Sequence, residues 1–136
     1  MVVTSGGKNI WPERIENLLN NDRFISQSIV IGNNRKFISA LIIPDWQEVE
    51  VYFKEKNLPL KEHNKLIKES VILNIFQQRI DAKINPNLHE FEKVRKFKLL
   101  PQEFSQDHDE LTATLKLRRH IIERHYQKTI DSMYAD

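Results

Sequence analysis

Ala40-Leu41-Ile42-Ile43 is an apolar run with no polar residue interleaved, and Pro44 closes it. A strand with one wet face alternates polar and apolar side chains. This one does not, so it is predicted to be covered on both faces. Whatever else the chain does, it must place apolar material above and below that strand. The rest of the sequence is read for where that cover comes from.

The strand sits in the second half of a predicted hairpin. Ser28-Ile29-Val30-Ile31-Gly32 is one arm, Asn33-Asn34 the turn and Phe37 to Ile43 the return. Val2-Val3-Thr4 reads as a short strand running into the tight loop Ser5-Gly6-Gly7-Lys8-Asn9. Trp11-Pro12-Glu13-Arg14 opens a helix, with Pro in its first turn and Glu13 and Glu16 suited to the positive end of its dipole. Ile15, Leu18 and Leu19 should face the core. Asp45 reads as an N-cap, Glu48 completing a capping box, ahead of a helix that buries Trp46, Val49 and Phe53. A longer helix is predicted from about His63 to Lys83, burying Ile67, Val71, Ile75 and Ile80, with Pro86 marking its end. Val94 to Leu100 is strand-like, with imperfect alternation. Residues 102–110 read as a loop. A last helix from about Leu117 to Met133 carries Leu117, Ile121, Ile122, Tyr126, Ile130 and Met133 on its apolar face. The sum is a small α+β domain: a central β-sheet of few strands, with a β-hairpin, flanked by helices.

Length and composition agree with one domain. The chain has 136 residues, 40% hydrophobic and 29% charged, which excludes a disordered tail. No apolar run nears the ~20 residues that span a bilayer. The Met1-Val2-Val3-Thr4-Ser5 start lacks the features of a secretory signal, which fits a cytoplasmic protein. Cysteine is absent, which removes disulfides, thiolate metal sites and thiol nucleophiles. The net charge of +2 is too balanced for a dedicated nucleic-acid domain.

Two segments hold residues that a core does not require. In Thr4-Ser5-Gly6-Gly7-Lys8 the glycines and the lysine suggest a phosphate loop, but Asn9 follows Lys8 and the first glycine is misplaced for a Walker motif. An ordinary tight turn explains it better from spacing alone. In Glu110-Leu111-Thr112-Ala113-Thr114-Leu115-Lys116-Leu117-Arg118-Arg119, a lysine on a Thr-rich loop could reach a phosphate or carboxylate as a point charge. Composition alone favours a solvated lysine beside a solvated basic face of Arg118, Arg119 and Arg124. The five histidines show no metal spacing, and there is no Gly-x-Ser-x-Gly elbow. Lys93, Arg95, Lys96 and Lys98 fit an exposed sheet face.

Together these segments resemble a known family. Thr4-Ser5-Gly6-Gly7-Lys8-Asn9-Ile10 followed by Arg14-Ile15-Glu16 is similar to the segment past the domain hinge of adenylate-forming enzymes. Val30 to Phe37, Ala40 to Asp45 and Glu110 to Arg119 resemble the long-chain fatty-acid–CoA ligase branch, in that family's order. The resemblance implies one C-terminal lid domain over residues 1–136, with the hinge and a large N-terminal adenylation domain outside the chain. It implies ATP, Mg and coenzyme A as requirements of the full-length enzyme and no cofactor for the isolated domain, which would be inactive alone. It assigns Lys116 as the catalytic lysine of adenylate formation, and Gly6 and Gly7, with Lys8 beside them, to the loop that meets coenzyme A. Related sequences often carry Pro where this chain has Ala113, so the loop before Lys116 should be slightly looser. The implied partners are the adenylation domain of the same polypeptide and the substrates fatty acid, ATP and coenzyme A. Nucleic acid is not among them. The implied setting is cytoplasmic, with peripheral membrane association of the full-length protein left open. Two other readings stand beside it: a free-standing, non-catalytic interaction module on the same fold, and a nucleic-acid binder acting through Arg95, Lys96, Lys98, Arg118 and Arg119.

Overall fold

The computed structural model describes residues 1–135. Its centre is a three-stranded sheet. β3 (Ile25–Ile31) pairs antiparallel with β4 (Ile38–Pro44), and β4 pairs parallel with β5 (Val94–Leu99). Ahead of it, β1 (Val2–Val3) and β2 (Asn9–Ile10) form a separate two-stranded ribbon, and α1 (Pro12–Asn20) follows. Between β4 and β5 lie α2 (Trp46–Glu55), α3 (His63–Leu66) and α4 (Ser70–Arg79), then a wider π-type turn over Ile80–Ile84. After β5 come α5 (Arg119–His125) and α6 (Gln127–Tyr134). This is the expected α+β architecture. Among the described residues, no helix is long and apolar enough to cross a membrane.

β4 is buried along its whole length, as its pattern requires. Its alternate side chains enter two separate cores. Ile38, Ala40 and Ile42 pack with Ile15 and Leu19 of α1, Val49 and Phe53 of α2, and Ile72 and Phe76 of α4. Leu41 and Ile43 point the other way, onto Ile122, Ile130 and Met133 of α5 and α6, with Leu100 and Phe104. The sheet therefore lies between two helical layers. Burying one large side chain here contributes roughly 1.5–3 kcal/mol, so the two faces of β4 anchor the whole domain.

Several local predictions hold. Pro12 starts α1. The Asp45 carboxylate accepts the Glu48 N–H at 3.3 Å. The Glu48 carboxylate does not return to complete the box; it accepts from Arg23 Nε at 2.8 Å instead. The β3–β4 turn closes through Arg35 N–H donating to Gly32 O at 3.0 Å. Asn34 takes φ 58° there, a conformation Asn tolerates better than most residues. β3 begins at Ile25, three residues before the predicted start. In β5 the partner of Ile38 is Val94 and that of Ser39 is Lys96. Arg95 is the extra residue of a bulge, which is why the alternation looked imperfect.

The two long helices are corrected. The 63–83 segment breaks at Lys68–Glu69, where Glu69 is extended. Its buried residues are Leu66, Ile72, Phe76 and Ile80, with Ile84 just beyond, while Val71 is exposed and Ile67 and Ile75 are only partly covered. The last helix breaks at Tyr126, whose φ and ψ of −112° and 25° end α5 and start α6. Neither proline nor glycine marks that break. Tyr126 packs edge-on against Phe104, ring centres 6.3 Å apart.

Candidate functional site

Lys116 lies on a small hairpin between residue 110 and α5. Leu111 and Leu117 face each other across its base as an antiparallel pair. Inside that base, Thr112 N–H donates to Lys116 O and Leu115 N–H donates to Thr112 O, both at 2.9 Å. The Thr112 hydroxyl accepts the Lys116 N–H at 3.1 Å and shares a hydrogen bond with Thr114 Oγ1 at 3.2 Å. Ala113, Thr114 and Leu115 thus form a three-residue loop whose last member is left-handed, with φ 64° at Leu115. Glycine usually occupies that position. A side chain there costs roughly 1–2 kcal/mol.

The legs of the hairpin are pinned to the body. Arg118 N–H donates to Glu110 O at 2.9 Å. The Glu110 side chain is itself buried, accepting the Ser105 N–H at 3.3 Å and lying 3.0 Å from His125 Nδ1. Arg119, the next residue, donates through both terminal nitrogens to Glu16 of α1, at 2.6 and 2.5 Å. Glu16 is buried and also accepts the Val30 N–H at 2.7 Å. Its hydrogen bonds to Glu16 hold the Arg119 guanidinium above its usual pKa, against the opposing effect of burial. The result is a fixed hairpin with an exposed lysine at its end. Beneath it, a groove of about 330 Å³ runs between Leu115-Lys116-Leu117 and Glu13, Glu16, Asn17 and Asn20 of α1.

The glycine loop is built separately. Thr4 N–H donates to Lys8 O at 3.0 Å, Gly7 N–H to Thr4 O at 2.9 Å, and Lys8 N–H to Thr4 Oγ1 at 3.1 Å. The β3–β4 turn holds it from outside: Ser5 N–H donates to Arg35 O, and Asn34 N–H to Val3 O, both at 2.9 Å. Gly7 has φ 82°, and a Cβ at Gly6 or Gly7 would meet open space. Both glycines are exposed, and Lys8 Nζ sits 5.5 Å from the centre of the Phe91 ring. Among the described residues, no hydrogen bond or ion pair links this loop to the Lys116 hairpin. Each presents its own surface.

Two residues of this site were read differently from the sequence. Glu16, suited by position to a helix dipole, is a buried acceptor. Arg119, placed on a solvated basic face, is its partner. Arg118 reaches Asp109 at 3.8 Å. Arg95 and Lys93 pair with Glu90, whose pKa they hold below the usual carboxylate range. Among the described residues, no group of three or more His, Asp or Glu side chains could hold a metal ion.

Comparison with known proteins agrees with the resemblance read from the loops. The long-chain-fatty-acid–CoA ligase FadD15 of Mycobacterium tuberculosis is 32% identical over 137 residues, covering 98% of this chain and 22% of that protein. Long-chain-fatty-acid–CoA ligase 1 of Cavia porcellus is 28% identical over 134 residues, covering 95% and 19%. The chain thus spans about a fifth of the length of these relatives. In fold, it superimposes on the adenylation domain of the carboxylate reductase from Mycobacterium chelonae with a TM-score of 0.72 at 20% identity, covering 99% of this chain and 19% of that one. The adenylation domain of carboxylic acid reductase from Segniliparus rugosus, in complex with AMP and a co-purified carboxylic acid, gives 0.73 at 16% identity, covering 98% and 19%. The AMP-binding enzyme C-terminal domain family matches over residues 1–136, and the chain belongs to that family.

Proposed function

We propose that this chain is the mobile C-terminal domain of an AMP-forming fatty-acid–CoA ligase, and that its two loops serve the two half-reactions in turn. The observation that carries the proposal is the Lys116 hairpin: an exposed ammonium on a loop whose backbone is closed by its own threonines. In the first half-reaction a carboxylate oxygen attacks the α-phosphorus of ATP. The new oxygen–phosphorus bond forms as the bond to the β-phosphate oxygen breaks, and pyrophosphate leaves. Two anions must approach each other for this. The Lys116 ammonium, placed between them, offsets their repulsion and donates hydrogen bonds to oxygens that gain charge in the transition state. In the second half-reaction the thiol sulfur of coenzyme A bonds to the acyl carbon as the bond from that carbon to the AMP phosphate oxygen breaks; AMP leaves and the thiol proton passes to solvent. Gly6 and Gly7, with nothing above their α-carbons, let backbone approach the pantetheine arm closely; Lys8 stands beside it. ATP, Mg and the acyl chain are held outside this chain, which is inactive without the adenylation domain.

The test uses the ligase that carries this domain. Lys116→Ala should reduce acyl-adenylate formation by about a hundredfold or more, the range lost with one preorganised charge-stabilising donor. Thioester formation from supplied acyl-adenylate should stay close to wild type. Loss of both steps together, or of neither, would remove Lys116 from this role and favour a non-catalytic interaction module on the same fold.

A further inference from the structure

Leu115 is an exposed leucine in a backbone conformation that leucine avoids. Its φ is 64° and 67% of its surface meets solvent. Its neighbours behave otherwise: Leu111 and Leu117 pack against the core under α5 and α6, and Leu115 joins neither core. An exposed leucine by itself signifies little. A leucine in the glycine position of a closed three-residue loop is different. The chain bears the strain, and the side chain adds to neither core for it. Strain of this kind persists where a site uses it.

The surroundings indicate what the side chain meets. Leu115 is flanked by Lys116, with Glu13, Asn17 and Asn20 along the same groove. The groove lining holds two leucines among polar side chains. Leu117 also packs against the core beneath α5 and α6, while Leu115 does not. An exposed apolar side chain with a polar rim is the arrangement of a docking anchor, in which the rim keeps water from a central apolar contact. We propose that Leu115 is the anchor that seats the Lys116 hairpin, entering an apolar notch on the adenylate-forming part of the same ligase during the first half-reaction. The inference rests on the reading of Lys116 given above. The same motion that delivers the ammonium delivers Leu115, since the two are adjacent and both exposed at the tip of the hairpin. Leu115 is then a positioning residue. It touches no reacting atom and sets how long Lys116 stays in place.

Backbone and side-chain roles separate with two substitutions. Asn accepts a left-handed φ more readily than Leu but has no apolar body, whereas Met keeps the apolar body and relieves no strain. In the ligase that carries this domain, Leu115→Asn should lower acyl-adenylate formation about tenfold or more, the scale of one buried aliphatic side chain. Thioester formation from supplied acyl-adenylate should stay within about twofold, as should both steps for Leu115→Met. The melting temperature of the 136-residue chain should not fall with Leu115→Asn, which excludes damage to the fold. Adenylation as fast with Asn as with Leu, or slower with Met than with Asn, overturns the anchor. Lys116→Ala is measured in parallel. If it abolishes adenylation while Leu115→Asn does not, only the anchor fails; if it is harmless, the parent reading fails first.

Discussion

Arg119 grips the carboxylate of Glu16 with both terminal nitrogens, at 2.6 and 2.5 Å, across 103 positions of sequence. α1 and α5 belong to opposite layers of the domain. This pair ties them together past β3 and fixes the point where the Lys116 hairpin rejoins the body.

Removing Arg119 leaves Glu16 buried with, among the described residues, the Val30 N–H as its one remaining partner. Arg119→Ala should cost roughly 2–4 kcal/mol, somewhat under the loss for a fully buried pair. Arg119→Lys should recover only part of it, because a lysine cannot make the forked contact. Urea unfolding midpoints of the three proteins check this. A loss for Arg119→Ala below about 0.5 kcal/mol would mark the contact as an ordinary surface pair.

The two adjacent glycines should respond differently to alanine. Gly7→Ala places a Cβ at φ 82°, costing roughly 1–2 kcal/mol. Gly6→Ala has open space and no positive φ, so the melting temperature should hold or rise slightly. If the loop approaches coenzyme A as proposed, Gly6→Ala should still slow thioester formation while leaving adenylation intact. A variant equally active in both steps would detach this loop from coenzyme A.

Acid should loosen the domain partly through Glu92. Burial pushes its carboxyl up, but hydrogen bonds from Arg14, at 2.5 Å, and from the His89 N–H together outweigh that and hold it below its ordinary value. A folded pKa below the unfolded one, near 4.3, stabilises the fold above that pH. The contribution is lost as pH falls through the folded value. In Arg14→Ala burial wins, so the circular-dichroism acid transition should begin at higher pH than in wild type. An unchanged transition would mean that Arg14 does not hold Glu92 ionised.

Much of this is legible in the sequence. The unbroken apolar run of β4 required cover on both faces, and two helical layers supply it. Asp45, Pro12 and Asn34 each carry a local signal that neighbours do not override. The buried stripe of the long helix is misplaced where burial is spaced by fours. Ile72, Phe76, Ile80 and Ile84 drift by about 40° per step on a helix of 3.6 residues per turn, so a regular helix carries them off the core. The backbone widens into a π-type turn at Ile80–Ile84 instead, a tertiary response that periodicity cannot report. Within the site, the lysine and the glycines were visible as residue types in loops. Glu16 and Arg119 were not, because each alone has an ordinary explanation near a helix start. Only the fold brings the two together. Leu115 carries no signal of its own in the sequence; its φ of 64° sets it apart.

The bond from the Val30 N–H to Glu16 has one more consequence. β3 lies at the outside of the sheet, and its sequence, Ile25 to Ile31, is the kind that invites a foreign strand to add alongside. Glu16 occupies one of the amide donors that such a strand would need, and it does so with a negative charge that Arg119 holds in place. Loosening that grip would expose an adhesive margin, so variants at Arg119 should lose solubility on concentration before they lose their secondary structure.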